Sequence, residues 1–114
     1  MSKNLIKEGE FSYVEAGEGQ PIIVLHGLMG RLSNFDSVLD YFSSKGYRVI
    51  IPELPIYKLS LIKTNVKNLA KFLKSFMDFM KIDKAILLGN SLGGHIALYF
   101  TKLNLENVGG LVLA

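Results

Sequence analysis

The sequence predicts an α/β fold, a mostly parallel sheet with helices on both faces that opens with an antiparallel hairpin. Three observations predict it. Continuous β-branched apolar runs recur along the chain, as in strands buried on both faces. Segments with apolar residues at helical spacing separate those runs. The 114 residues are 49% hydrophobic and 20% charged, the composition of one folded domain and too short a chain for two.

The elements follow in order. "NLIKE" and "FSYVEA", joined at Gly9–Glu10, alternate in polarity around turn residues and read as the hairpin. "GEGQP" breaks that pattern, and "IIVLHG" is the first parallel strand. From about Asn34 to Lys45, Phe35, Val38, Leu39 and Phe42 mark a helix closed by Gly46. "YRVIIPEL" is the second parallel strand, and a long helix is expected from about Thr64 to Lys81. "KAILLGN" is the third parallel strand. "LGGHIALYFTKL" is a helix of weaker amphipathicity, expected to be largely covered, and "VGGLVLA" is the fourth parallel strand. An apolar strand at the last residue, with no crossover helix after it, leaves ladder groups and apolar faces unprotected. Residues 1–114 are therefore expected to be the N-terminal part of a larger domain, with the C-terminal half as a possible pairing partner.

Composition narrows the function classes. Cysteine is absent, which excludes disulfides and cysteine-based zinc sites; no metal or cofactor is expected. The N-terminus lacks the apolar core of a secretory signal, and no run reaches the ~18 apolar residues of a membrane span, so a cytoplasmic address is the default expectation. The net charge is +3. Lys63, Lys67, Lys71 and Lys74 fall at helical spacing, with Ile62, Val66, Leu69, Leu73, Phe76 and Met80 on the opposite face. This is the pattern of a helix buried on one side and solvated by lysine on the other. Without interleaved aromatics or arginines the lysine stripe does not point to nucleic acid.

The residues that carry chemistry lie in "LLGNSLGGH", residues 87–95. Gly89–Asn90–Ser91–Leu92–Gly93 is a G-x-S-x-G pattern, weak alone but placed at the end of a buried strand and the start of a helix, as a nucleophile elbow requires. Glycines at 89 and 93 remove side chains where strand and helix pass closely. The new helix offers free N–H groups and its positive dipole beside the Ser91 hydroxyl. The plainer alternative makes Ser91 a helix N-cap. A phosphate loop fits badly, since neither G-x-x-x-x-G-K-[ST] nor G-x-G-x-x-G is present. Acyl transfer needs two preorganised N–H donors for its oxyanion. The backbone N–H of Leu92 is one candidate; Leu28, in the loop begun by His26 and Gly27 ("HGLMG", residues 26–30), is the other. The alternative for that loop is a plain strand-to-helix turn.

Here the sequence resembles the α/β-hydrolase superfamily, in the branch of serine esterases, lipases, carbon–carbon bond hydrolases and proline iminopeptidases. "IIVLHGLMG", "YRVIIPELP" and "AILLGNSLGGHIAL" carry the resemblance in the expected order, and they span the family's N-terminal half. The resemblance implies Ser91 as nucleophile with Leu28 and Leu92 as oxyanion donors. It also sets aside the dehalogenase and epoxide hydrolase branches, which use aspartate at this position. One departure is "ELPIYKLS" where the family often has D-x-P-G-x-G-x-S: Glu53 matches loosely and the glycines are missing.

A serine nucleophile needs a general base and an orienting carboxylate. Of the two histidines, His26 lies in the oxyanion loop, where the family uses it structurally, and His95, one turn into the helix, reads as a packed residue, with a base that tilts back toward Ser91 as the alternative. Asp36, Asp40, Asp78 and Asp83 read as helix-surface or loop charges. The resemblance implies the order Ser…Asp/Glu…His, which puts both partners after Ala114, and a cap after the last strand that sets specificity. The expected function is a serine hydrolase of a small-molecule ester or related acyl or carbon–carbon bond, inactive as this fragment alone. The alternative is a binding or signalling protein that keeps the scaffold without catalysis.

Overall fold

The structure is a computed structural model that describes residues 5–26, 36–55 and 65–113. Six strands form one sheet: β1 (Ile6–Glu8), β2 (Phe11–Ala16), β3 (Gln20–Leu25), β4 (Tyr47–Pro52), β5 (Ala85–Gly89) and β6 (Val108–Leu113). Their order is β1-β2-β4-β3-β5-β6. β1 and β2 form the expected hairpin, with Gly9 at φ 60° in its turn. β2 then runs antiparallel to β4, while β4, β3, β5 and β6 are mutually parallel.

Helix α1 (Asp36–Ser43) lies on one face of the sheet; α2 (Val66–Phe79) and α3 (Leu92–Leu103) lie on the other. The strands serve both faces by alternation, as a period of two demands. Ile22 and Val24 of β3, with Val49 and Ile51 of β4, pack around Leu39 of α1. Ile23, Leu25, Ile50 and Leu87 join Leu69, Leu73 and Phe76 of α2 and Ile96 and Phe100 of α3. Burying both faces explains why these strands read as unbroken apolar runs.

The lysine-faced helix is as expected over its described part. Asn65 caps α2 by accepting the Asn68 N–H at 2.8 Å, satisfying one of the four amides that a helix start leaves without partners. Lys67 and Lys71 are exposed, and Leu69, Leu73 and Phe76 are buried; Ile62 and Lys63 lie outside the described residues. At the far end Lys81 adopts φ 59°, with Lys81 N–H donating to the Asp78 carbonyl and Ile82 N–H to the Met77 carbonyl, the two bonds of a Schellman stop.

One expectation needs correction. Helix α3 is covered on one side only: Gly93, Ile96, Ala97 and Phe100 are buried, but Leu98 and Leu103 are exposed. Its high apolar content comes in part from these exposed leucines rather than from burial all round. A 3-10 turn (Leu105–Asn107) also precedes β6, with Asn107 donating from Nδ2 to the Asp83 carbonyl at 2.7 Å. β6 is the last strand in the order, and Val112 and Leu113 are exposed on it.

Candidate active site

The parallel strands bring Leu25 at the end of β3 beside Gly89 at the end of β5. The C-terminal edge of an open α/β sheet is where ligands are bound, and Ser91 lies two residues beyond it. Its backbone has φ 59° and ψ −122°, a region that residues with a Cβ enter only when the surroundings over-determine it. Four hydrogen bonds and contacts do so here. Asn90 N–H donates to the Leu25 carbonyl at 3.0 Å, and Gly93 and Gly94 N–H donate to the carbonyls of Asn90 and Ser91 at 2.9 Å each. Gly93 meanwhile presses on the end of β3.

Both glycines of the pattern are there for space. A Cβ on Gly89 would fall 2.5 Å from the Gly93 carbonyl oxygen, and one on Gly93 would fall 2.0 Å from that of Leu25. Ser91 is exposed and occupies the N-cap position of α3, but its side chain makes no capping bond. With the amides of Gly93 and Gly94 engaged in the turn, the Leu92 N–H stands outside these bonds at the positive end of α3.

His26 is buried directly after β3, and its Nε2 accepts the Leu54 N–H at 3.4 Å. Gly27 and Leu28, the rest of the expected oxyanion loop, lie outside the described residues. His95 is exposed one turn into α3 rather than packed, and no hydrogen bond joins it to Ser91. Asp36 opens α1, and Asp40 is exposed on it. Asp78 pairs with Lys74 at 2.7 Å on the outer face of α2, and Asp83 lies before the start of β5. Glu53 follows β4, where its N–H donates to the Ser12 carbonyl at 2.8 Å.

Sequence reasoning missed the bond between His26 and Leu54. The only signal for it was "ELP" directly after the second parallel strand, which brings that chain across the end of β3. Among the described residues no group of three or more His, Cys, Asp or Glu is placed to hold a metal ion, and no helix is long and apolar enough to cross a membrane.

Comparison with known proteins identifies the fold. Residues 20–114 match the model of the alpha/beta hydrolase fold family. Over 106 residues the chain is 38% identical to a 2-hydroxy-6-oxo-6-phenylhexa-2,4-dienoate hydrolase of Burkholderia cepacia, covering 87% of this chain and 37% of that protein. It is 38% identical, over the same shares, to a 2-hydroxy-6-oxononadienedioate/2-hydroxy-6-oxononatrienedioate hydrolase of Comamonas testosteroni. Among solved structures it superposes with a TM-score of 0.93 and 59% identity on MGS-MChE2, an alpha/beta hydrolase enzyme from the metagenome of lagoon sediments at Mar Chica, Morocco. That match covers 97% of this chain and 51% of that one. An epoxide hydrolase of Vigna radiata, at 19% identity and a TM-score of 0.84, shares the fold. The chain thus spans well under half the length of the curated relatives it matches, and about half of the Mar Chica enzyme.

Proposed function

The chain belongs to the alpha/beta hydrolase fold family, and from that premise we propose that it carries the nucleophile of a serine hydrolase. The reaction begins with Ser91 Oγ attacking a substrate carbonyl carbon while a general base takes the hydroxyl proton. The oxyanion so formed is held by the N–H groups of Leu92 and Leu28. Collapse breaks the bond to the leaving group, which recovers the proton, and water then releases the acyl group from Ser91. The base and its carboxylate come from outside residues 1–114. His26 is buried with Nε2 engaged.

Small-molecule substrates with a cleavable acyl bond fit this reading. The 2-hydroxy-6-oxo-dienoates named in the relatives are the first substrates to test, and simple esters are the second. A nucleophilic serine rather than aspartate separates the proposed route from epoxide opening, although that fold is shared. The single observation that carries the reading is the strained backbone of Ser91 between two glycines that admit no side chain. The test is Ser91→Ala in the full-length protein. Turnover of the best substrate should fall by several orders of magnitude, and near-normal turnover would exclude Ser91 as nucleophile.

A further inference from the structure

A groove of about 210 Å³ opens between α2 and α3, lined by Lys67, Ala70, Lys71 and Lys74 of the first helix and by Leu103 and Asn104 at the end of the second. Ala70 is buried, whereas Lys67 and Lys71 are exposed. Lys74 is paired with Asp78, but no ion pair joins Lys67 or Lys71 to a carboxylate of the described residues. Leu103 is 59% exposed and Leu105, just past Asn104, is 69% exposed. They are the two most exposed large apolar side chains among the described residues. Lys102 beside them is exposed too, and Glu106, also exposed, is the opposing charge that follows.

Cations around protruding leucines complement a partner that is anionic outside and apolar within. The groove is smaller than the ~300–1,000 Å³ of a small-molecule site, so an enclosed ligand fits poorly. An amphipathic peptide helix needs a row of apolar pockets for its anchors, and Leu103 and Leu105 are protrusions rather than pockets. A bilayer interface takes both features at once. Leucines bury at the boundary of headgroup and acyl chain, and lysine stems lie along apolar surface while their ammonium groups meet anionic headgroups. Each lysine held near such a surface adds its own attraction.

We propose that the lysine face of α2 and the end of α3 form a peripheral docking surface for a membrane that contains anionic lipids. Lys67 and Lys71 meet the headgroups, and Leu103 and Leu105 insert beside them. Leu103 ends the 12 residues of α3, which places it about 18 Å along the helix from the Ser91 elbow. The docked end is therefore the opposite end of α3 from Ser91, and docking leaves the elbow uncovered. The proposal does not depend on the role of Ser91.

The test is co-sedimentation of the full-length protein with vesicles, one set of phosphatidylcholine alone and one of equal parts phosphatidylcholine and phosphatidylglycerol. The protein should partition onto the mixed vesicles and leave the neutral ones. Lys67→Gln together with Lys71→Gln should lower the partition coefficient about twentyfold, at about fivefold per lysine. Leu103→Ala together with Leu105→Ala should lower it about tenfold. All four side chains project from the fold, so these variants keep its core. Lys7→Gln together with Lys45→Gln removes the same charge from β1 and from the chain after α1, on the other face of the sheet, and should leave binding unchanged. Equal loss in that control would reduce the effect to net charge and overturn the proposal. So would leucine variants that bind as well as the unchanged protein, or indifference of the protein to both kinds of vesicle. Retention on polyglutamate with no vesicle binding would assign the face to an acidic protein partner instead, and would overturn it too.

Discussion

Gly93 stands against the carbonyl of Leu25 with no room for a methyl group. The contact joins the first turn of α3 to the end of β3 and lets the elbow sit low over the sheet edge. A Cβ at 93 would lie 2.0 Å from the Leu25 oxygen and 2.4 Å from its carbon, both backbone atoms that no rotamer change can move. One residue on, a Cβ at Gly94 would meet its nearest atoms at 3.7 Å, an ordinary contact.

These neighbouring glycines should therefore respond oppositely to alanine. Gly93→Ala must push α3 away from β3, and overpacking of this kind costs about 1–3 kcal/mol or more. Gly94→Ala gains up to about 1 kcal/mol from helix propensity and meets no obstacle. Urea unfolding of the two variants checks this. A Gly93→Ala midpoint at or above that of Gly94→Ala would show that the approach of α3 to β3 is not limiting.

Much of this site is legible in the sequence because its constraints are local. Gly89 and Gly93 flank Ser91 within one turn, so composition and spacing alone announce a crowded strand-to-helix junction. The parallel strands are legible because residues such as Ile22 and Ile23 must satisfy opposite faces at once. The illegible parts are long-range. Nothing in "FSYVEA" says that β2 docks on β4 rather than β3, since its backbone groups fit either edge. The partner of His26 is 28 residues away in sequence. The cover of α3 was misjudged because Leu98 and Leu103 add apolar character without adding burial.

The strain at Ser91 is measurable as stability. A residue with a Cβ held at φ 59° and ψ −122° costs about 1–3 kcal/mol, and glycine escapes that cost while adding about 0.5–1 kcal/mol of backbone entropy in the unfolded chain. Ser91→Gly should thus stabilise the chain by about 1 kcal/mol, whereas Ser91→Ala, with the same Cβ, should change stability little. Equal unfolding midpoints for the two variants would mean that the elbow stores no strain at this residue.

Tyr13, on β2 toward the other edge of the sheet, predicts a pH dependence. Its hydroxyl donates to Glu8 Oε1. Burial, then that hydrogen bond and the Glu8 and Glu15 charges, push its pKa up from 10.0 to about 12, while Arg48, paired with Glu15, pulls the other way. The folded chain thus holds a proton that the unfolded chain has lost between these two values. Linkage makes this stabilisation complete below pH 10.0 and lost as pH rises toward about 12. Tyr13→Phe should flatten that alkaline decline, seen as denaturant midpoints that converge with those of the unchanged chain as pH rises. Parallel declines in the two chains would assign the alkaline loss to other groups.

The last prediction concerns the reactivity of Ser91 in the 114-residue chain by itself. The elbow presents the hydroxyl, but a serine without a base keeps an alcohol-like pKa and is a weak nucleophile at neutral pH. His26 is no base, being buried with Nε2 accepting the Leu54 N–H. His95 is exposed on α3 and makes no bond to the serine. Even complete hydrolases stripped of their triad keep only ~10³–10⁴-fold over water, from the oxyanion donors and binding. The chain alone should therefore leave short-chain esters intact and resist serine-directed fluorophosphonates. The apolar edge at Val112 and Leu113 should draw it into self-association, which sedimentation reads independently of the chemistry. Stoichiometric labelling of Ser91 in a monomeric chain would overturn both expectations. It would also turn attention to His95, whose replacement by glutamine should then abolish the labelling if that ring had supplied the base.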